Sequence, residues 1–344
     1  MRYTIYGGMI KARDLRITGV SPLSGVPGGR LTVRCKDFEP ELQAKVFLGD
    51  VEAFIISASD DCILIQLPES PYSLGLTLRA GEKTSPLFPF NLAVRLATGL
   101  HPVMNPAIAP DGSIFTTISG EPGEQTNMPL VRVTRQGDII PCSCEILNPT
   151  GLAFSPDGQL YISSRHDGTI LKYNNFESLE VAAEDIGIPC GMVFDSKGNL
   201  YVGDRTGHIW KIDKSGNREE FVSLEPSISA YHLVIDKEDR IYVTGPTFAA
   251  RDCLYRVSRG MKVETLLRGL ARPQGMTFLP DGDLLIAAGY KGKKGIFRYS
   301  PHVGSLRHYI TSPIPVGLAV DERTAYLATS DSLYSVHIPG SAVN

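Results

Sequence analysis

The sequence predicts an all-β protein: a small β-sandwich in residues 1–89, then, in residues 90–344, a six-bladed β-propeller closed by an outer strand from its own N-terminal side. Three observations lead there. One hairpin pattern recurs six times after residue 101, at the roughly 40-residue period of propeller blades. A short apolar strand with a basic third residue follows almost every hairpin. The residues before the repeats alternate short apolar strands with Gly- and Pro-rich turns and hold no helix-period segment.

In the front segment the strands read LRITGV, LTVRC, KVFLG, EAFIIS, ILIQL and GLTLR, between Leu15 and Pro89. Alternation puts Cys35 on the side of Leu31 and Val33, and Cys62 on the side opposite Ile63, Ile65 and Leu67, so a bridge between these two thiols is not expected. The chain has 344 residues, 34 glycines, 24 prolines and a formal net charge of −3. That balance argues against a protein that coats nucleic acid, which needs an excess of Lys and Arg. Met1–Arg13 contains no signal-peptide apolar run, and no stretch has the roughly 18 apolar residues of a membrane span. The six cysteines read as reduced thiols, so a cytoplasmic monomer is expected.

The six hairpins are AIAPDGSIFTT from Ala107, GLAFSPDGQLYIS from Gly151, GMVFDSKGNLYVG from Gly191, HLVIDKEDRIYVT from His232, GMTFLPDGDLLIA from Gly275 and GLAVDERTAYLAT from Gly317. Asp-Gly occupies the turn in three of them, where Gly takes positive φ at no steric cost. The third strands are LVRV, ILKY, IWKI, LYRV, IFRY and LYSV, whose third residue is basic in all but the last. A solvated strand face, with the stem covering its neighbours, is the expected role of that residue rather than a phosphate-binding ladder. The last blade lacks a fourth strand, and Leu92–Thr98 is expected to supply it. Cys142-Ser143-Cys144 has no second Cys/His pair at zinc spacing. No Walker-type loop or nucleophile elbow occurs.

The front segment, through ITGVSPLSGVPGGRLTVRC, KVFLGD and SASDDCILIQLPE, resembles an IPT/TIG domain. That resemblance implies an Ig-like sandwich acting as spacer or docking module. The repeats, through GLAFSPDGQLYIS and its sisters over residues 92–338, resemble NHL repeats and the SMP-30/gluconolactonase group of six-bladed propellers. In lactonases of that group a divalent metal, usually calcium, sits at one channel mouth on carboxylate and Asn oxygens, from the residue just before the Gly that opens each innermost strand. The matching positions here are Met104, Thr150, Cys190, Tyr231, Gln274 and Val316, none of them a carboxylate. Calcium wants six to eight oxygens with anionic charge among them.

The expectation is therefore a non-catalytic recognition propeller without a cofactor, binding a small molecule or a protein on its channel face. The expected mouth is Asn105, Thr150, Cys190, Tyr231, His232 and Gln274, with Asn105 and His232 replacing the strand-opening Gly. The expected rim is Arg165, His166, Asp167, Asp204, Arg205, Arg251, Tyr290 and Lys291, continuing through Lys294. Two alternatives stand beside it. One is a lactone hydrolase using Ca2+ or another divalent metal on ligands such as Glu121, Glu124 or Asp204. The other is NHL-type RNA binding on Arg165, Arg205, Arg251 and the Lys291–Lys294 loop.

Overall fold

The computed structural model describes residues 14–38, 44–70, 75–118, 126–174 and 178–338. Every regular element among them is a β-strand. Seven front strands form one antiparallel sheet, in the order Arg16–Ser21, Arg30–Lys36, Cys62–Gln66, Val51–Ala58, Lys45–Leu48, Leu76–Ala80, Lys83–Thr84. Val51–Ala58 joins its two halves: Val51 to Ala53 pair with Lys45–Leu48, whereas Phe54 to Ala58 pair with Cys62–Gln66. The sheet thus turns about this strand, and one core takes Leu31, Val33, Ile63 and Ile65 from one half and Val46, Leu48, Leu76 and Leu78 from the other. Period-two alternation does the sorting, leaving Arg30, Thr32 and Arg34 on the outer face. Cys35 is buried and Cys62 half-buried, and both are free thiols.

After residue 93 the chain forms a propeller-like arrangement of small sheets. Four are consecutive antiparallel meanders, starting at Ala107–Ile108, Pro149–Phe154, Pro189–Phe194 and His232–Ile235. A fifth holds Pro315–Asp321, Thr324–Thr329 and Ser332–His337, and its outer strand is Val94–Thr98, paired antiparallel to Ser332–His337. The innermost strands touch in a closed cycle that also includes Met276–Phe278 and returns from Pro315–Asp321 to Ala107–Ile108.

Two expectations need correction here. Six equivalent four-stranded sheets were expected, but five have that form. The copy running from Met276–Phe278 to Ser305–Thr311 lies in a six-stranded sheet, because Ser24–Gly25 adds parallel to Ser305–Thr311 and Asn91–Leu92 adds parallel to Ser24–Gly25. For the same reason Leu92 is not in the closing strand, which begins at Val94. The added strands cover what would be an open sheet edge.

Local chemistry explains the repeat. Gly112, Gly158 and Gly282 take φ of 81°, 84° and 89° at the hairpin turns. Where the fourth copy has no Gly, Asp239 takes φ 56° instead, its carboxylate accepting from the Ser196 amide and hydroxyl. Four of the five third-strand bases meet carboxylates: Arg132 with Asp111 at 2.5 Å, Lys211 with Glu219 at 2.6 Å, Arg256 with Glu264 at 2.6 Å and Arg298 with Asp281 at 2.7 Å. They are neutralised on their own sheets.

The front sheet is fastened to the ring rather than strung from it. The Thr311 hydroxyl donates to the Arg30 carbonyl at 2.7 Å, and the Val26 amide donates to the Thr311 carbonyl at 2.8 Å. A Cβ at Gly25 would lie 2.4 Å from Leu67 Cδ1 and 2.7 Å from Thr311 Cγ2, so only Gly fits the crossing. Val26 packs with Leu285, Ile296, Ile310 and Leu327 of the ring. Burying that one side chain contributes about 1.5–3 kcal/mol.

Candidate functional site

At the ring axis the inner strands run against one another so closely that side chains are excluded from most strand-opening positions. A Cβ at Gly151 would lie 2.1 Å from the Cys190 carbonyl oxygen, at Gly191 2.5 Å from that of Tyr231, and at Gly317 2.6 Å from that of Met104. Asn105 uses the room this leaves. Its Nδ2 donates to the Met276 carbonyl at 2.8 Å, and its Oδ1 accepts the Leu318 amide at 3.0 Å. Both ends of the amide are thus occupied in tying the first inner strand to two others. Asn105 is a staple between inner strands.

The other mouth positions are similarly engaged. Thr150 is buried; its hydroxyl donates to the Asn148 carbonyl, and its own carbonyl accepts Thr117 Oγ1 at 2.7 Å. Cys190 is buried beside Met104 and Ala230, its thiol donating to the Ile188 carbonyl at 3.3 Å, and burial pushes its pKa up to about 12. Tyr231 is fully buried and its hydroxyl donates to the Glu225 carbonyl; burial raises its pKa. His232 is buried, and burial pulls its pKa down to about 4 although Gln274 faces it. Neither ring nitrogen has a hydrogen-bond partner among the described residues. The axial cavity lined by Met104, Asn105, Gly151, Gly191 and His232 has a volume of about 20 Å³, room for one water. Gln274 and Val316 are half-buried.

These residues do not fit a calcium cage. Among the described residues no three His, Cys, Asp or Glu side chains converge as metal ligands would. Asp204, the nearest carboxylate candidate, is buried and saturated: Oδ1 accepts the Ile188 and Thr206 amides at 3.0 Å, and Oδ2 accepts the Thr206 hydroxyl at 2.5 Å. It clamps a loop, its oxygens engaged by the protein's own donors. Glu121 and Glu124 lie outside the described residues. Cys142 and Cys144 sit just past strand Ile139–Pro141, half-buried against an apolar cluster, with both thiol pKa values raised by burial.

The rim is more open. His166, Asp167, Arg205 and Arg251 are exposed and Arg165 is half-buried. Arg165 and Arg205 are both near enough to Cys190 to act on its thiol. The Arg205 loop is stitched to the next sheets, since its carbonyl accepts the Ser227 amide and Ser227 Oγ donates to the Pro246 carbonyl at 2.7 Å. Lys291 stacks on Tyr290 and, with Lys293 and Lys294, lines a cleft against the front sheet.

Sequence reasoning missed three residues at this face. Ser163 bridges the Gly151 amide and the Cys190 carbonyl. Buried Asp252 accepts the Thr247 amide and hydroxyl and the Arg272 amide, holding the loop that presents Phe248 at 86% exposure beside Arg251. Only the Phe248-Ala249-Ala250-Arg251 run, an aromatic beside a base in a predicted loop, offered any signal.

Fold and site together define a propeller-type β protein whose axis is filled by buried, mutually bonded side chains and whose exposed chemistry lies outside it. No protein-family profile and no curated protein matches the sequence. Among solved structures the chain is similar to an auxiliary nutrient binding protein from Bacteroides ovatus ATCC 8483, at 14% identity over 94% of this chain and 97% of that one, with a TM-score of 0.56. It is similar to a protein named for gluconolactonase activity at 15% identity over 72% and 92% of the two chains, TM-score 0.59. Virginiamycin B lyase from Staphylococcus aureus is similar at 16% identity over 86% and 99%, TM-score 0.51. At these identities the likeness is one of fold.

Proposed function

We propose that the protein is a non-catalytic recognition propeller whose rim takes a small polyhydroxylated acid. The front module is read as an Ig-like domain of the IPT/TIG kind, docked rather than freely linked. The six-stranded sheet is read as a four-stranded blade with two strands added, which makes the ring a six-bladed one of the NHL/SMP-30 type. The observation carrying the functional reading is a contrast on one face. Of the six positions where a hydrolase would present metal-binding oxygens, four are buried and three of those, Thr150, Cys190 and Tyr231, donate to the protein's own backbone, whereas Arg205, Phe248 and Arg251 reach solvent. Guanidinium groups suit a carboxylate and an exposed aromatic suits a sugar face. Likeness to a nutrient binding protein over 94% of the chain supports binding as the role.

Calorimetric titration with a panel of aldonic and uronic acids tests this. At least one should bind saturably, and Arg205→Ala should weaken it about tenfold. Calcium or a chelator should leave the melting temperature unchanged. A calcium-dependent rise in melting temperature would revive the hydrolase reading. If no panel member binds and single-stranded RNA does, with steep salt dependence, the RNA reading replaces this one.

A further inference from the structure

Between the front sheet and the six-stranded sheet lies a cleft of about 480 Å³, the size of a small-ligand site. Arg30 and Gln66 come to it from the front sheet, and Lys291, Lys293, Lys294 and Ser312 from the ring. Among the described residues no carboxylate lines it. None of its four cations makes an ion pair among the described residues. On the ring's third strands, by contrast, Arg132, Lys211, Arg256 and Arg298 each meet a carboxylate. Gathering four like charges without a counter-charge opposes folding through their mutual repulsion, and such local conflicts concentrate at functional sites.

A second, independent observation lies at the same place. Ser312 is 1% exposed, and its Oγ has no hydrogen-bond partner among the described residues. A buried hydroxyl of this kind is a donor without an acceptor. The walls are also held in place. His308 Nε2 donates to the Lys294 carbonyl at 3.0 Å, and its ring stacks on Phe297. Burial above all, with Lys293 adding to it, pulls the His308 pKa down to about 4, so at neutral pH it positions the lysine loop without adding charge. The Thr311–Arg30 hydrogen bond fixes the opposite wall.

We propose that this cleft is a binding site for a soluble phosphorylated small molecule, held by Arg30, Lys293 and Lys294 on phosphate oxygens with Ser312 Oγ as a neutral donor. Four cations and their N–H groups exceed what the two oxygens of a single carboxylate can satisfy, and a phosphate or pyrophosphate group supplies more acceptors and more charge. Because the contacts come from both the front sheet and the ring, the ligand also braces their junction. The site is independent of the rim.

The full chain is titrated with inorganic pyrophosphate by calorimetry and thermal shift, at low and high salt. Single-site, salt-sensitive binding with a raised melting temperature is expected. Lys293→Ala/Lys294→Ala and Arg30→Ala should each weaken it by about tenfold or more, while Arg205→Ala leaves it unchanged. Ser312→Ala should weaken binding without lowering the melting temperature of the free protein, because its hydroxyl has no partner there among the described residues. Unsaturable binding, equal affinity in the double lysine variant, or binding confined to anionic vesicles or to single-stranded RNA overturns the proposal.

Discussion

The ring axis and the junction cleft are both concave places where distant segments meet, and they are built on opposite principles. At the axis, neutral side chains are buried against neighbouring backbone and about 20 Å³ is left. At the cleft, cations without an ion pair among the described residues stand around about 480 Å³. The difference shows that a propeller mouth can be turned into internal scaffolding once its polar groups bond the inner strands. Affinity for a ligand then has to come from surfaces where charge is left unsatisfied.

The largest expected effect tests the scaffolding half. Gly275→Ala would put a Cβ 1.7 Å from Asn105 Oδ1 and 2.7 Å from Gly317 Cα, and should cost about 3 kcal/mol or more in chemical denaturation. Asn105→Ala leaves the Leu318 amide and Met276 carbonyl unpaired, at about 1–3 kcal/mol. Since the first change collides with the group the second removes, the double variant should be less destabilised than the sum, with a coupling of about 1 kcal/mol or more. Strict additivity would show that Asn105 is not the staple.

Next comes acid sensitivity. Folding holds the His232 pKa near 4, against 6.5 for an ordinary histidine. Between those values the unfolded chain takes up a proton that the folded chain refuses. Stability is therefore full above about pH 6.5 and falls as pH drops toward 4, by about 3 kcal/mol from this group. His232→Gln should flatten that fall in urea titrations across the window. The His308 contribution, which has the same sign, should remain in the variant. An unchanged pH profile would mean that His232 is hydrated after all.

The smallest effect sharpens the charge comparison. Lys211 is a base with a carboxylate partner, so Lys211→Ala should change stability by about 1 kcal/mol or less and leave pyrophosphate binding as it was. A loss of binding equal to that of the Lys293→Ala/Lys294→Ala variant would erase the distinction drawn between the two sets of bases.

Much of the scaffold could be read from the residues, because its causes are local. Asp111-Gly112 and Asp157-Gly158 mark turns by backbone conformation alone, and the Leu31/Val33/Cys35 alternation sorts inside from outside whatever lies opposite. The pairing of Val94–Thr98 with Ser332–His337 followed from a strand missing at one end and present at the other. The functional surface was harder to read. Asn105 and His232 were singled out for replacing Gly, yet whether such a side chain meets ligand or backbone depends on how near the next strand runs. Lys291 was grouped with the rim because strand-end logic places it on that face, whereas the insertion of Ser24–Gly25 beside Ser305–Thr311 brings the front sheet over its loop.

By itself, then, the sequence determined the strands, their turns, the repeat, and the lack of carboxylates at the mouth positions, all matters of residue type and short-range geometry. Only the tertiary structure decided that the mouth closes on itself, that Asp204 clamps a loop, and that Arg30 faces Lys293 and Lys294. Those outcomes rest on ångström-scale distances between segments far apart in the chain, where one strand more or less at a sheet edge determines which charges meet.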